Sequence, residues 1–324
     1  MDDQAPASPE TDETRPLRVG FLGPRGTFTE QALLTQPDLA HAELVPLPTM
    51  ADVLWASENG EVDLGFVAIE NSIEGTVNVT SDTLAFDVDV LIQREVVTSV
   101  QQHLMAAPGA TLAGIDEVVS IPHATAQCRG FLHRELPLVT TRAANSTAEA
   151  ARLVAELADP KVAAIGNELA AGIYQLDILA HDIEDHPENQ TRFVAVRPQE
   201  VPAPSGHDKT SIVVAQRTDR PGSLLAILQE FAARRINLTK LESRPTKKAL
   251  GDYCFLLDLE GHVADDVVAD CLKALRVKHG EVKFLGSYPS AAAEGPALRA
   301  DAAEATRDAE SWLVEIRRRI ALGG

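Results

Sequence analysis

Two kinds of stretch alternate along the first part of the chain. From Arg18 onward, short and almost continuous apolar runs such as 18–23 and 63–70 are separated by stretches with helical spacing, such as 27–36 and 50–60. Short apolar runs bounded by turn residues are typical of strands buried on both faces of a mostly parallel sheet. The pattern therefore predicts an α/β fold.

A second group of the same kind follows an extended stretch at 91–108. Strand-like runs at 116–122 and 161–166 alternate with helical stretches, and two further strand-like runs at 178–185 and 191–196 close the group. One α/β group, a second group and a return crossing predict two layered lobes joined by a hinge, with a cleft between them.

The pattern changes again after a linker rich in Pro, Gly and Ser at 198–208. Between 209 and 290 the order is strand, helix, strand, strand, helix, strand. In the first of these helices Leu224, Leu225, Leu228 and Phe231 fall on one face, as packing on a sheet requires. We therefore predict a βαββαβ module with one layer of helices on an antiparallel sheet.

The two ends of the chain differ from the rest in composition. Residues 1–16 are polar, acidic and contain proline, which predicts a disordered tail without the apolar segment of a signal peptide. Residues 291–324 form a tail rich in alanine and charge, with helical spacing towards its end that indicates a docked or intersubunit helix.

Composition narrows the class of protein. No apolar run reaches the roughly 18 residues that a membrane span requires. The net charge of −19 disfavours nucleic acid and anionic membranes as partners. The cysteines Cys128, Cys254 and Cys271 lack metal-ligand spacing, which favours a reducing compartment. We expect a cytoplasmic protein without a structural metal, in which local groups hold any anionic ligand.

Two helix starts carry the same capping pattern, one in each lobe. Thr27 precedes Glu30 by three residues, and Ser146 precedes Glu149 by three. The free N–H groups of a helix start attract a carboxylate or a phosphate. Two such starts facing each other across a cleft could hold a dianion, although each taken alone is also an ordinary capped turn.

Further polar residues follow the predicted strands, where open α/β sheets bind ligands. These are Glu70 and Asn71, then Ser120 with Gln127 on the next helix, and the segment 189–193. No pair of histidines has metal-ligand spacing, and neither a serine-nucleophile elbow nor a Cys–His arrangement is present. The candidate site therefore consists of hydroxyl groups, amides and arginine, and we expect no metal and no cofactor.

Taken in order, these motifs resemble those of prephenate dehydratases with a C-terminal ACT domain. The resemblance covers roughly residues 17–290 and rests on GPRGTFTEQA, VAIENSIEG, SxPxATAQC, STAEAA, AAIGNELAA, NQTRF, DRPGSLLAIL and ESRP. It implies decarboxylative dehydration of prephenate to phenylpyruvate, a step towards phenylalanine. Aromatisation drives such a reaction, so the protein must bind two carboxylates and assist the departing hydroxyl group.

The resemblance also assigns roles to individual residues. Thr191, the threonine of the TRF motif, is the leading candidate for assisting the hydroxyl group. The other residues implied in catalysis are Glu70, Asn71, Ser120 and Gln127. Those implied in substrate binding are Thr27, Asn145, Ser146, Thr147, Arg192 and Phe193. The sequence departs from the family at Ile121 and His123, where many members have histidine and glutamine.

In ACT domains of this type, phenylalanine binds at an interface between two modules. The resemblance implies L-phenylalanine as effector, and hence a homodimer or a homotetramer. The residues implied in its binding are Gly222, Ser223, Leu224, Leu225, Asn237, Glu242, Ser243, Arg244 and Pro245.

The predicted fold class is α/β, with a two-lobed, hinged catalytic domain of the periplasmic-binding-protein-like kind at 17–197 and the ACT module at 209–290. Two other functions remain open from the sequence. The same fold could act on arogenate, which shares the ring of prephenate, or it could be a catalytically silent amino-acid sensor.

Overall fold

The computed structural model describes residues 15–216, 220–247, 252–291, 311–312 and 314–318. Among these, none of the helices combines the length and the apolar composition that crossing a bilayer requires. Most of both predicted tails, 1–16 and 291–324, lies outside the described residues.

The described chain forms an N-terminal domain and a C-terminal domain. The N-terminal domain contains β1 (Arg18–Leu22), α1 (Phe28–Leu34), β2 (Glu43–Leu47), α2 (Met50–Glu58), β3 (Leu64–Asn71), β4 (Gly75–Thr76), α3 (Asn78–Phe86), β5 (Leu91–Ser99), β6 (His103–Ala106), β7 (Glu117–Ser120), α4 (Pro122–Gln127), α5 (Arg129–Glu135), β8 (Thr140–Ala143), α6 (Thr147–Leu157), β9 (Val162–Gly166), α7 (Glu168–Tyr174), β10 (Asp177–Ala180) and β11 (Gln190–Arg197). The C-terminal domain contains β12 (Asp208–Gln216), α8 (Ser223–Ala233), β13 (Leu238–Pro245), β14 (Tyr253–Glu260), α9 (Asp266–Lys278) and β15 (Gly280–Pro289).

Two sheets divide the N-terminal domain into lobes, as the sequence predicts. Lobe 1 has the strand order β2-β1-β3-β11-β5, with β4 beside β3, and lobe 2 has the order β10-β6-β9-β7-β8. The prediction of mostly parallel sheets is wrong at the crossings between lobes. The chain leaves lobe 1 after β5 and returns in β11, so β11 runs antiparallel to β5 and to β3.

Apolar side chains cover both faces of the lobe 1 sheet, which explains its near-continuous apolar strands. Phe66 and Phe193 lie in a core beneath α1, and their rings stack with centroids 5.4 Å apart. Val67 and Val194 lie in a second core on the opposite face. Consecutive residues of one strand therefore enter different cores, because side chains alternate across a sheet.

The C-terminal domain has the predicted βαββαβ order. Its antiparallel sheet has the strand order β13-β14-β12-β15. Helices α8 and α9 cover one face through Ile227, Phe231, Val268 and Leu275, all buried. This confirms the predicted module.

The other face of this sheet packs on lobe 1. Val213, Leu256 and Tyr288 join the core that contains Val194. At Gly286 the backbones of the two domains approach so closely that an added Cβ would lie 2.6 Å from the carbonyl oxygen of Ile92. The two domains therefore share one hydrophobic core.

A partly buried cation, Lys283, lies at one side of this interface. The ammonium group of Lys283 donates hydrogen bonds to the carbonyl oxygens of Leu84 at 2.8 Å and Val88 at 2.6 Å, at the end of α3. Burial lowers the pKa of Lys283 despite nearby carboxylates. The carbonyl oxygens that a helix end leaves without partners are thus satisfied from the C-terminal domain.

We predict that Gly286→Ala destabilises the protein. Gly286 has φ +140° and no room for a Cβ, so the free energy of unfolding should fall by about 1–3 kcal/mol or more. Gly172→Ala is the matched control, because Gly172 lies in α7 with no atom within 4 Å of an added Cβ. That variant should gain up to about 1 kcal/mol. Equal unfolding curves for the two variants would contradict the close approach of the domains.

Candidate active site and regulatory pocket

Thr191 and Asn71 face each other on neighbouring strands. They are register partners on β11 and β3, and Asn71 Nδ2 donates to Thr191 Oγ1 at 2.9 Å. The amide is itself fixed, because Asn71 Oδ1 accepts from the backbone N–H groups of Ile73 and Glu74. Among the described residues the Thr191 hydroxyl accepts this bond and donates none. That proton can be donated to a ligand.

A β-bulge determines which side chains face the cleft. Phe193 opposes Ala68, whereas Arg192 opposes Glu70, so the register shifts between these two pairs and β3 carries one extra residue. An extra residue reverses the faces of the residues that follow it. Asn71 consequently lies beside Thr191, and Glu70 lies beside Arg192 on the opposite face.

Arg192 points away from the cleft into the interface with the C-terminal domain. Its Nε donates to Glu95 Oε2 at 2.6 Å, Nη1 to Asp258 Oδ2 at 2.6 Å, and Nη2 to the Tyr288 hydroxyl oxygen at 2.8 Å. Nη1 also lies 3.4 Å from Glu70 Oε2. The expectation that Arg192 binds a substrate carboxylate, and that Glu70 lines the same site, is therefore corrected: the alternation of β11 places Arg192 on the interdomain side, and the bulge in β3 places Glu70 there.

Mutual charge keeps this buried cluster ionised. Burial raises the pKa of Glu95, but Arg192 and Lys209 outweigh it, so the pKa lies below its ordinary value. The pKa of Asp258 is lowered in the same way, against burial, mainly by Arg192. For Arg192 itself burial lowers the pKa, while Tyr288, Asp258 and Glu95 raise it above its usual range. Each charge is stable only because the others are present.

Phe193 and Thr27 support the surrounding structure, and their side chains are not exposed to a ligand. Phe193 is buried in the core of lobe 1. Thr27 caps α1: its Oγ1 accepts from Glu30 N at 3.3 Å and donates to the carbonyl oxygen of Leu22 at 3.0 Å. The carboxylate of Glu30 accepts from Gly26 N at 2.6 Å. The predicted capping box is present, and the Thr27 hydroxyl is engaged within it.

The second predicted helix start, in lobe 2, has the same form. Ser146 Oγ accepts from Glu149 N at 2.9 Å, and Glu149 Oε2 accepts from Asn145 N at 2.8 Å. Thr147, the first residue of α6, is buried, whereas Asn145 is exposed. The helix has eleven residues, so its dipole favours an anion at this end.

Gln127 and His123 form a bridge between the lobes. Gln127 Nε2 lies 2.5 Å from His123 Nε2, and His123 Nε2 also contacts Glu74 Oε1 of lobe 1. His123 stands at one of the two positions where the sequence departs from the family, and there it makes this contact with the other lobe. Ser120 is buried, and its hydroxyl donates to the carbonyl oxygen of Ile165 at 2.9 Å. This bond assigns Ser120 to holding β7 and β9 together.

The lobes also touch at the start of α1. The Tyr174 hydroxyl donates to the carbonyl oxygen of Arg25 at 3.0 Å, and an added Cβ at Gly26 would lie 3.3 Å from Ala170. Gly26 has φ +88°, a conformation that glycine adopts without strain. The turn before α1 can therefore lie close to α7.

A separate pocket of about 240 Å³ lies in the C-terminal domain between the start of α8 and the end of β12. Five of its lining residues are among those predicted to bind phenylalanine: Gly222, Ser223, Leu224, Leu225 and Ser243. The other four lining residues are not among the predicted ones: Gln216, Arg220, Tyr253 and Phe255. Tyr253 and Phe255 are two residues apart on β14 and therefore lie on the same face of the sheet. This two-residue periodicity is the sequence signal that could have placed both of them in the pocket.

The remaining predicted effector residues do not line this pocket. Glu242 accepts a hydrogen bond from the hydroxyl of Thr76 at 2.6 Å, and Arg244 pairs with Asp82 at 2.6 Å. Both therefore face the N-terminal domain. Asn237 and Pro245 are also not among the described residues that line the pocket. The expectation for Glu242 and Arg244 is corrected, because only alternate residues of β13 face the pocket side.

The fold and the two sites define a class: a two-lobed domain with polar side chains at the ends of its strands, joined to a small module with its own pocket. Comparison with known proteins gives the family. The family model for prephenate dehydratase matches residues 19–201, and the ACT domain model matches residues 210–277. The chain therefore belongs to the prephenate dehydratase family and carries a C-terminal ACT domain.

Individual relatives support this assignment. The prephenate dehydratase of Mycobacterium tuberculosis is 39% identical over 313 residues, which cover 93% of this chain and 94% of that one. A crystal structure of prephenate dehydratase with L-Phe from Arthrobacter aurescens has a TM-score of 0.80 at 39% identity, covering 93% of this chain and all of the other. A further structure, described as GqqA, a novel type of quorum quenching acylase, has a TM-score of 0.77 at 29% identity, covering 85% and 98%.

We predict that acid weakens the interface through Glu95 and Asp258. Their pKa values in the folded protein lie below the ordinary 4.5 and 3.8, so the folded state binds fewer protons than the unfolded state. The resulting stability is present above about pH 4.5 and is lost as the pH falls through the lowered values.

Thermal unfolding between pH 3 and pH 7 tests this, with Glu95→Gln as the comparison. The variant leaves Arg192 without one of its two carboxylates at 2.6 Å, and we expect it to lose about 3–5 kcal/mol at pH 7. The difference from the unmodified protein should shrink as the pH falls. Parallel stability curves for the two proteins would contradict the assignment.

Proposed function

We propose that this chain catalyses the decarboxylative dehydration of prephenate to phenylpyruvate, with Thr191 as the group that assists the departing hydroxyl. Membership of the prephenate dehydratase family supports this activity. The observation that carries the role of Thr191 is its hydrogen bond from Asn71, at 2.9 Å. The bond uses the oxygen of Thr191 as an acceptor and leaves its proton available to the substrate.

The chemistry requires little else from the protein. The bond between the ring and its carboxylate breaks, CO2 departs, and the electron pair enters the ring as the C–O bond of the hydroxyl group breaks. The hydroxide takes a proton and leaves as water. A threonine hydroxyl is a weak acid, so Thr191 acts as a fixed hydrogen-bond donor through which this proton arrives. A fixed donor stabilises the charge that develops on the leaving oxygen.

We assign the binding of a substrate carboxylate to the start of α6, around Asn145, Ser146 and Thr147. The net charge of −19 repels a dianion from the molecule as a whole. Free N–H groups at a capped helix start attract a carboxylate without requiring a basic surface. Gln127, held by His123, adds an amide to the same cleft.

Two alternatives have less support. Arogenate shares the ring and the leaving groups, and a product assay separates it from prephenate. The acylase among the structural relatives is 29% identical, against 39% for the prephenate dehydratases. A silent sensor would not need the fixed pairing of Asn71 with Thr191.

We predict that the purified chain forms phenylpyruvate from prephenate and that Thr191→Ala lowers kcat by about 10²–10⁴. Substrate binding should change little, because the helix start of α6 is untouched. Thr191→Ser is the matched control: it retains the hydroxyl group and should keep much of the turnover. A rate for Thr191→Ala near that of the unmodified protein would contradict the role of Thr191.

We further propose that L-phenylalanine regulates the enzyme from the pocket of the C-terminal domain. One structural relative contains L-Phe, and the pocket combines apolar walls with the N–H groups at the start of α8. Leu225, Leu241 and Tyr253 are 60%, 46% and 45% exposed on this side of the domain. Apolar exposure of this kind suits contact with a second copy, so we propose a homodimer or a homotetramer.

We predict that Ser243→Leu, which adds bulk to the pocket wall, weakens phenylalanine binding by at least about tenfold, a change of about 1.4 kcal/mol. Thr239→Leu is the matched control, because Thr239 is exposed on the same strand and is not among the described residues that line the pocket. Calorimetry measures binding, and sedimentation with and without phenylalanine measures assembly. Equal affinities for the two variants would place the effector elsewhere.

A further inference from the structure

Two neighbouring residues of β11 serve different domains. Thr191 faces Asn71 and the cleft, while Arg192 binds Asp258 and Tyr288 of the C-terminal domain. The backbone between them is one peptide unit, so Arg192 cannot shift along the strand without moving Thr191. The position of the catalytic hydroxyl is thus tied to the C-terminal sheet.

The guanidinium group is held from both sides. The N-terminal domain supplies Glu95 and Glu70, and the C-terminal domain supplies Asp258 and Tyr288. Arg192 is 9% exposed, so water cannot readily replace a lost partner. An arginine fork held by two carboxylates at 2.6 Å has one favoured geometry, and any sliding of the domains breaks at least one bond.

The C-terminal partners form a rigid unit. Ser211 and Asp258 are register partners on β12 and β14. The Ser211 hydroxyl lies 2.6 Å from both Asp258 Oδ1 and the Tyr288 oxygen. Three strands of the sheet, β12, β14 and β15, therefore meet at Arg192.

Two of these strands, β12 and β14, also line the regulatory pocket. Gln216 ends β12, and Phe255 lies on β14. Ser211 and Asp258 lie five and three residues away along these strands, roughly 10–17 Å at the rise of a β-strand. A ligand that moves this end of the paired strands therefore acts on the groups that hold Arg192.

We propose that Arg192 is a positioning residue that transmits the state of the C-terminal domain to Thr191. This inference rests on the proposed function for its effect on turnover, and it names the route of the regulation proposed above. In one state of the domain the fork holds β11 so that Asn71 and Thr191 meet in register. In the other state the partners of Arg192 shift, and the hydroxyl of Thr191 shifts with them. Phenylalanine acts by binding these two states unequally.

Tyr288→Phe is the sharpest test, because it removes one hydrogen bond to Arg192 and leaves every charge of the cluster in place. Saturating L-phenylalanine changes kcat by some factor in the unmodified protein. We expect that factor to be about three- to thirtyfold smaller in this variant. Calorimetry should still detect phenylalanine binding. Arg192→Lys keeps the charge but not the fork, and it should show the same loss of response together with a lower kcat at nearly unchanged KM.

Lys283→Met is the matched control. It removes a partly buried cation from the same interface, at α3, away from the Arg192 cluster. We expect a lower melting temperature with the response to phenylalanine retained. If Lys283→Met loses the response as fully as Tyr288→Phe does, the interface as a whole carries the regulation and the role of Arg192 is refuted. A normal response in folded Tyr288→Phe and Arg192→Lys refutes it as well.

Hydrogen exchange of residues 190–193 provides a readout that does not depend on turnover. Phenylalanine should change the exchange of this segment in the unmodified protein and in Lys283→Met, but not in Tyr288→Phe. An unmodified chain that forms no phenylpyruvate contradicts the proposed function. An identical exchange response in all three proteins contradicts only the role of Arg192.

Discussion

The pairing of β11 between β3 and β5 is the constraint on which the rest of the structure depends. This strand returns the chain to lobe 1, stacks Phe193 on Phe66 in one core and buries Val194 in the other. Its alternation presents Thr191 to the cleft and Arg192 to the second domain. The return to lobe 1, the proposed catalytic group and the interdomain contact therefore share eight residues of backbone.

The fold could be read from the sequence because its signals are local. Apolar runs and helical spacing indicate the order of elements, and both capping boxes are visible as spaced Thr or Ser and Glu. β8 (Thr140–Ala143) is exposed along its length, so no apolar pattern marked it. The motifs include Thr191 and Asn71, which the structure pairs, and the GSLL turn forms one wall of the pocket.

The directions of the side chains could not be read in the same way. Glu70 and Arg192 belong to motifs predicted to form the active site, yet both face the other domain. The alternation of β11 directs Arg192 there, and one extra residue in β3 directs Glu70 there. A bulge depends on long-range pairing, which leaves no mark on the spacing of a single strand. The same holds for Arg244, whose partner Asp82 is 162 residues away in the chain.

Lobe 2 is, in effect, an insertion into lobe 1, and this has a consequence for the order in which the protein forms. The sheet of lobe 1 lacks an inner strand until the chain has been synthesised as far as β11, which follows β10, the last strand of lobe 2. Pairings this distant in sequence form late, since the loop must close before its contacts stabilise it. Thr191 arrives with that closing strand. A nascent chain can therefore contain a finished second lobe and yet have no reactive centre.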